Sequence, residues 1–258
     1  MKILALDTST QSTTVGLMLD GREALEAYDH PGPGERPGHQ ARLLPLAADL
    51  LDQAGVGWRD VDRVVVGLGP GTYTGLRVGV ASARALAQAL ELEIAGVSST
   101  IALAHGAFRA GHTGPALTIT DARRSELFLA AYAPAEDPSA APLVLADPRP
   151  VPLAELTGAL EELEASAEIA LGPAWLAIGN GVVSASVALS QAEVRVPSAD
   201  SPLHQLSAAA LCELGARLPA QPLDAVTPDY RRPADAEIAL AERERGRRHV
   251  PLAAGASG

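Results

Sequence analysis

Apolar and polar positions change their spacing several times along the 258-residue chain, and each change predicts an element. Residues 2–6 are a short apolar run of strand type that ends at Asp7. The next stretch, Asp7-Thr8-Ser9-Thr10-Gln11-Ser12, is turn-forming. Residues 13–19 (TTVGLML) are apolar and β-branched, and Asp20-Gly21 behind them is a hairpin signal, so residues 22–30 are the next strand. Residues 31–37 (PGPGERP) form a loop of helix breakers. The spacing then becomes helical: Leu43, Leu46, Leu50 and Leu51 share one face up to Gly55. Pro45 lies in the first turns, so this helix is expected to start late or to kink there. Residues 62–67 (DRVVVG) read as a buried strand, 69–75 as a glycine-rich loop and 76–90 as a helix dense in alanine. A strand at 94–97 and a helix at 98–108 complete one mixed α/β layer that starts with an antiparallel hairpin.

Residues 111–115 mark a boundary. A second β-rich unit opens at Ala116 (ALTITDARRSELFLAAYAP) and leads into a proline-rich connector over 134–152. A helix at 153–164, a strand at 175–183 and a helix at 202–218 are predicted, the last returning to the first unit. The expected organisation is a first lobe at 1–110, a second lobe at 111–201, a returning segment at 202–232 and a tail at 233–258. The tail is charged, then rich in Gly, Ala and Ser, a composition that favours disorder.

Composition narrows the function. The chain is 47% apolar, enough for a sizeable core, but only 3% aromatic, too few rings for a surface that binds single strands by base stacking. Its 20 basic and 31 acidic residues leave a net charge of −11, which argues against independent binding to nucleic-acid phosphates. Lys2 is the single lysine, so no lysine chemistry is hidden in the body of the chain. The single cysteine, Cys212, excludes an internal disulfide and a cysteine zinc site, and it sits among apolar helix residues as a core side chain. No two of the six histidines have the H-x-x-x-H spacing, so no metal site is expected. The start has no secretory h-region. The charge-free stretch 169–192 contains Gly172, Pro173, Gly179, Asn180 and Gly181 and reads as strand and turns. A cytoplasmic protein without membrane contact is expected.

Three motifs could carry chemistry. Gly67-Leu-Gly69-Pro-Gly71-Thr-Tyr73-Thr-Gly75-Leu-Arg77-Val-Gly79 follows a strand and opens a helix, where glycines permit close backbone approach and exposed amides could hold an anion. It is not a P-loop, since Leu76 stands where the lysine belongs. It is not a nucleophile elbow, since Tyr73 takes the nucleophile position. A tight connection without ligand explains it equally well. In the following helix Gly79, Ala81, Ala83, Ala85 and Ala87 leave little bulk, which suits close packing in the core or against a partner helix. Asp7, with Thr8, Ser9 and Thr10, ends the first strand where hydrated Mg²⁺ and phosphate could bind, although a hairpin Asx-turn needs the same residues. Asp121 stands at the equivalent place in the second unit, and Gly179-Asn-Gly181 ends another strand.

The segments Ile3-Leu-Ala-Leu-Asp7-Thr-Ser-Thr, His39-Gln-Ala-Arg-Leu-Leu-Pro45, Gly69 to Gly79, Gly96-Val-Ser98-Ser, Asp121-Ala-Arg123 and Pro228-Asp-Tyr230-Arg231 together resemble the TsaB (YeaZ) family, in order and spacing, over residues 1 to about 232. The resemblance implies an α/β, two-lobed ASKHA fold, shared with actin, sugar kinases and Hsp70, with mixed sheets flanked by helices. It implies a part in making N6-threonylcarbamoyladenosine at position 37 of tRNA. In that system the paralogue TsaD carries the catalytic metal site, TsaE is an ATPase, and ATP and Mg²⁺ are used by the partners. TsaB is the non-catalytic scaffold. It docks TsaD through the helices beginning near His39 and Gly75, forms a homodimer through the same surface when alone, and meets tRNA only within the complex. The interface expected here is His39, Leu43, Leu46, Leu50, Tyr73, Thr74, Arg77, Gly79 and Ala83. A vestigial nucleotide site would comprise Asp7, Ser9, Asp121, Gly179 and Gly181.

The residues agree with a non-catalytic reading. ASKHA phosphotransferases need glycines in both phosphate loops, whereas Ser9 and Ala122 occupy those places here. No catalytic residue, metal or required cofactor is assigned to the chain. The alternative from another class is an ATP-dependent ASKHA enzyme in which Asp7 and Asp121 hold Mg²⁺-nucleotide between the lobes. A peptidase has no supporting Ser-His-Asp spacing or metal pair.

Overall fold

Two sheets with the same strand order organise the structure, a computed structural model that describes residues 1–32, 34–167 and 170–232. The tail predicted to be disordered, 233–258, lies outside the described residues. In the first lobe β1 (Lys2–Asp7), β2 (Thr13–Leu19) and β3 (Leu25–Asp29) form an antiparallel meander, and β4 (Arg63–Gly67) and β5 (Glu93–Val97) add in parallel. The order is β3-β2-β1-β4-β5. In the second lobe β6 (Ala116–Arg123), β7 (Glu126–Ala133) and β8 (Leu143–Pro152) repeat the meander, and β9 (Leu176–Ile178) adds in parallel beside β6. The order β8-β7-β6-β9 repeats the third-second-first-fourth pattern of the first sheet, so the two β-rich halves share a topology.

Both faces of β1 are buried, because successive side chains point to opposite sides. Leu4 and Leu6 join Val64 and Val66 under α1 (His39–Ala54) and α2 (Tyr73–Leu90). Ile3 and Ala5 join Val65 on the other side, against α3 (Ser99–Arg109) and α6 (Ala208–Arg217). The end of α6 is tied to β4 by Arg63, which donates to the carbonyls of Gly215 and Leu218 at 2.8 and 2.7 Å and pairs with Glu93. The second-lobe core is built on Leu117, Ile119, Leu127 and Leu129 beneath α4 (Leu156–Ala167) and α5 (Ser186–Gln191). Helix α3 lies between the lobes: Leu103 packs with Leu176 and Ile178, and Ala104 with Ala130 and Tyr132.

Several elements differ from the sequence expectation. The proline-rich connector contains β8. Its prolines are tolerated because β8 is an edge strand, where a missing N–H faces away from the ladder; Pro150 still stands opposite Phe128 and Pro152 opposite Glu126. Helix α1 runs unbroken through Pro45. That early position loses one backbone hydrogen bond while the apolar face of the helix remains packed. The predicted strand 175–183 shrinks to Leu176–Ile178 because Gly179 turns at a φ of 112°. The predicted helix 202–218 divides into a 3₁₀ turn at Pro202–His204 and α6, whose start is capped by the Ser207 hydroxyl accepting from the Ala210 N–H at 3.2 Å.

Candidate functional site

The end of β1 is closed. Asp7 is fully buried, and both its oxygens are occupied. The Ser9 N–H and hydroxyl donate to Oδ1 at 2.8 and 2.7 Å, and the Ser99 hydroxyl donates to Oδ2 at 2.6 Å. Gly67 presses on the same carboxylate; a Cβ there would overlap Oδ2. Burial pushes the Asp7 carboxyl above its ordinary value, and the hydrogen bonds from Ser99 and Ser9 oppose that shift. Ser99 also accepts from the Gly69 N–H at 3.0 Å, so the glycine-rich loop, β1 and the start of α3 share one polar knot. The loop makes a tight connection, as its glycines allow.

The face of α2 turned to this knot explains its small residues. Thr8 donates to the Gly75 carbonyl at 2.7 Å, and a Cβ at Gly79 would overlap the Thr8 hydroxyl. The helix therefore lies directly on the chain leaving β1. This overturns part of the expected partner surface. Gly79 and Ala83 are buried against their own lobe, as are Leu43 and Leu50 of α1. His39 is buried too. Its Nδ1 shares a hydrogen bond with the Thr13 hydroxyl at 2.9 Å, its Nε2 has no partner, and burial lowers its pKa. Leu46 is half-buried against the same core.

The outward face holds the remaining predicted residues. Thr74 and Arg77 are exposed and Tyr73 is half-buried. They line a groove between α1 and α2 of about 470 Å³, with Gln40, Val78, Ala81 and Ser82. The Arg77 guanidinium lies 4.9 Å from the centre of the Tyr73 ring, and the Tyr230 ring stacks on Tyr73 with centres 4.8 Å apart. Sequence reasoning passed over Gln40, Val78 and Ser82, and named Ala81 only among the small residues of the helix. The signal was available: positions 74, 77, 78 and 81 recur at helical spacing opposite 75, 76, 79, 80 and 83.

The predicted nucleotide residues are not assembled. A cleft of about 470 Å³ separates the lobes, and of the five only Ser9 lines it. Asp121 folds back instead, accepting from the Arg123 N–H at 2.8 Å, with the Arg123 guanidinium 3.6 Å away. Gly179 and Gly181 are packing positions, where added Cβ atoms would crowd Ile119 and Leu127. Between them Asn180 reaches the cleft and accepts from the Asp121 N–H at 3.0 Å. Among the described residues no group of three or more His, Cys, Asp or Glu could hold a metal ion. No described helix is long and apolar enough to cross a membrane.

Two lobes of equivalent strand order, closing on a cleft between them, define an ASKHA-type α/β fold. Comparison with known proteins sharpens this. Residues 35–142 match the family model described as TsaD, tRNA N6-adenosine threonylcarbamoyltransferase. The chain is 37% identical over 132 residues to the tRNA threonylcarbamoyladenosine biosynthesis protein TsaB of Escherichia coli, covering 51% of this chain and 55% of that protein. It is 34% identical over 133 residues to the Bacillus subtilis protein of the same name, covering 51% and 55%. The match thus spans about half the length of these curated relatives. A solved structure of YeaZ from Pseudomonas aeruginosa superposes with a TM-score of 0.67 at 26% identity, covering 89% of this chain and 99% of that one. The chain is thus similar over about half its length to TsaB proteins, and in overall fold to YeaZ.

Proposed function

We propose that this chain is a non-catalytic scaffold in the formation of threonylcarbamoyladenosine on tRNA, working in the cytoplasm by docking a TsaD-type catalytic subunit. The closed end of β1 carries this reading. A phosphotransferase of this fold needs that carboxylate facing the cleft to hold a hydrated cation. Here it is buried and bonded to serines of its own lobe. The relatives' names supply the pathway, and the likeness of residues 35–142 to the TsaD model supports a paralogous partner, since related folds often pair through related surfaces.

Docking would use the groove between α1 and α2, with Tyr73, Thr74 and Arg77 as contacts. Aromatic and arginine side chains of this kind dominate interface energies. The same groove would serve the homodimer when the partner is absent. A TsaE-type ATPase would join the pair and use ATP and Mg²⁺, and tRNA would be held chiefly by the partners, in keeping with the net charge of −11. The test is reconstitution with the cognate TsaD-type and TsaE-type proteins and measurement of modified adenosine. Activity should depend on the chain; equal activity in its absence overturns the scaffold. Turnover of ATP by the isolated chain would establish the ATP-dependent enzyme instead.

A further inference from the structure

The segment 226–232 touches both lobes. Val226 is fully buried in the core beneath α1 and α2, which anchors the segment in the first lobe. The Asp229 N–H donates to the Leu68 carbonyl at 2.8 Å, just before the glycine-rich loop. Tyr230 stacks on Tyr73 at the start of α2. The next two side chains cross to the second lobe. Arg231 donates from Nη1 to the Pro148 carbonyl of β8 at 3.2 Å, while its Nε is held by the two oxygens of Asp229 at 2.7 and 2.8 Å. Arg232 donates to the Glu126 carboxylate at the start of β7. The Arg232 side chain is 13% exposed and that of Glu126 31%, so water and salt screen this pair less than they screen a surface pair. The motif Pro228-Asp-Tyr230-Arg231, which the docking groove leaves mostly unused, thus lies in a tie between the lobes.

This tie is separate from the packing of α3 on Ala130 and Tyr132. Glu126 comes four residues before Ala130 on β7, about 13 Å along the strand. A small rotation of the second lobe about α3 therefore carries Glu126 away from Arg232. The cleft of about 470 Å³ between the lobes leaves room for such a rotation. Ordering the backbone of 229–232 costs conformational entropy, and the Tyr230 stack, the Arg231 contact and the Arg232 pair share that cost. Losing one of them leaves the others to bear it, so the three form and break together.

We propose that residues 228–232 are a latch that couples the outer face of α2 to the angle between the lobes. Stacking of Tyr230 on Tyr73 favours the latched angle, and by reciprocity the latched angle favours the stacked rings. A molecule seated on Tyr73 fixes the cleft, and opening the cleft loosens the aromatic platform beside the groove. The latch is a property of the chain alone, so it stands or falls separately from the docking of a TsaD-type subunit.

The test uses the full chain with one spin label in each lobe, at Asp52→Cys on α1 and Glu161→Cys on α4, both exposed positions. Cys212 is buried and stays unlabelled. Without further change, electron–electron distance measurements should give one narrow distribution. Glu126→Ala, in the second lobe, should lower the ratio of latched to released chains about tenfold, as loss of a charge-assisted hydrogen bond does, and add a second distance. Tyr73→Ala, in the first lobe, should add the same second distance. Combining the two should go little beyond the larger single effect, because both act through one segment. In the other direction, fluorotyrosine resonances of Tyr73 and Tyr230, assigned from Tyr73→Phe and Tyr230→Phe, should move in Glu126→Ala while that of Tyr28 on β3 stays. If Glu126→Ala fails to fold, Arg232→Gln removes the same ion pair; if Tyr73→Ala fails, Tyr230→Ala removes the other ring. A starting distribution as broad as the variants', an unchanged distribution on breaking either the ion pair or the stack, tyrosine resonances indifferent to the ion pair, or fully additive effects would each overturn the latch.

Discussion

The two faces of α2 use similar side chains for opposite purposes. On the inner face Gly75, Gly79, Ala83 and Ala87 are small because the helix rests on Thr8 and on the core of its own sheet. On the outer face Ala81 is small and exposed beside Thr74, Arg77 and Ser82. Smallness alone therefore does not mark a partner surface. What separates the faces is what a Cβ would meet: backbone and hydroxyl of the same lobe on one side, open groove on the other. The largest effect should come from exchanging these roles. Gly79→Arg would drive a long side chain into Thr8, so we expect loss of the folded lobe, a destabilisation above about 4 kcal/mol, read as a collapsed thermal transition. Ala81→Arg, half a turn further on, should melt like wild type yet weaken pairing with the TsaD-type subunit about a hundredfold. Folded Gly79→Arg with selective loss of pairing would reverse the assignment of faces.

A neighbouring pair on α1 sharpens the same contrast. Leu43 is 1% exposed and Leu44 is 42% exposed. Leu43→Ala leaves a cavity under the helix and should cost about 2–5 kcal/mol in chemical denaturation, with any loss of pairing tracking the loss of folded protein. Leu44→Ala should cost less than about 0.5 kcal/mol. Equal costs would show that the face of α1 is wrongly assigned.

The fold was legible where period and composition agreed. The meander of β1 to β3, the strand before the glycine-rich loop and the helix after it all follow from alternation, turn residues and helical spacing. β8 was hidden because Pro148, Pro150 and Pro152 mask a strand that only an edge position permits, and edge position is a property of the sheet. At the candidate site, Asp7 was found as a strand-end carboxylate, but its state was not. Ser99, which closes it, lies 92 residues away. The outward face of α1 and α2 was half legible for a similar reason. The sequence identifies α1 and α2 as amphipathic, yet its apolar stripe is the core-facing one, so Leu43, Leu50 and Ala83 were drawn to the wrong side. The outward residues are the polar and small ones that hydrophobic spacing passes over.

Beneath the inner face of α2 the comparison extends to charge, because Asp7 is buried there while Asp121 of the second lobe is partly exposed. Folding raises the Asp7 pKa above its ordinary value near 3.8. As pH rises through the window between the unfolded and folded values, the native state retains a proton that the unfolded chain has released, so the group opposes folding increasingly and then constantly. Asp7→Asn removes this dependence. The variant should be more stable than wild type at pH 7 and its advantage should vanish below pH 4, as read from paired thermal melts. An advantage that grows on acidification would contradict a buried, proton-retaining carboxyl.

The smallest effect belongs to the outer face itself. Arg77 lies over Tyr73, and Tyr73 is stacked on Tyr230. An exposed cation–π contact contributes about 0.5–1 kcal/mol, and the residues involved are largely solvated, so Arg77→Ala should shift the melting temperature by no more than about a degree or two. Its effect on pairing should be larger than on stability. The guanidinium holds the Tyr73 ring at the groove before any partner arrives, and ordering a side chain on association costs about 0.5–1.5 kcal/mol. Loss of that preorganisation together with the arginine's own contacts should weaken pairing about tenfold, seen as faster dissociation in surface-based kinetics. Arg77→Lys keeps the charge but loses the flat guanidinium over the ring, and should fall between Arg77→Ala and wild type. If Arg77→Ala lowers stability as much as it lowers affinity, the Arg77–Tyr73–Tyr230 stack is part of the lobe's own structure, and the outer face of α2 is no more a partner surface than the inner one.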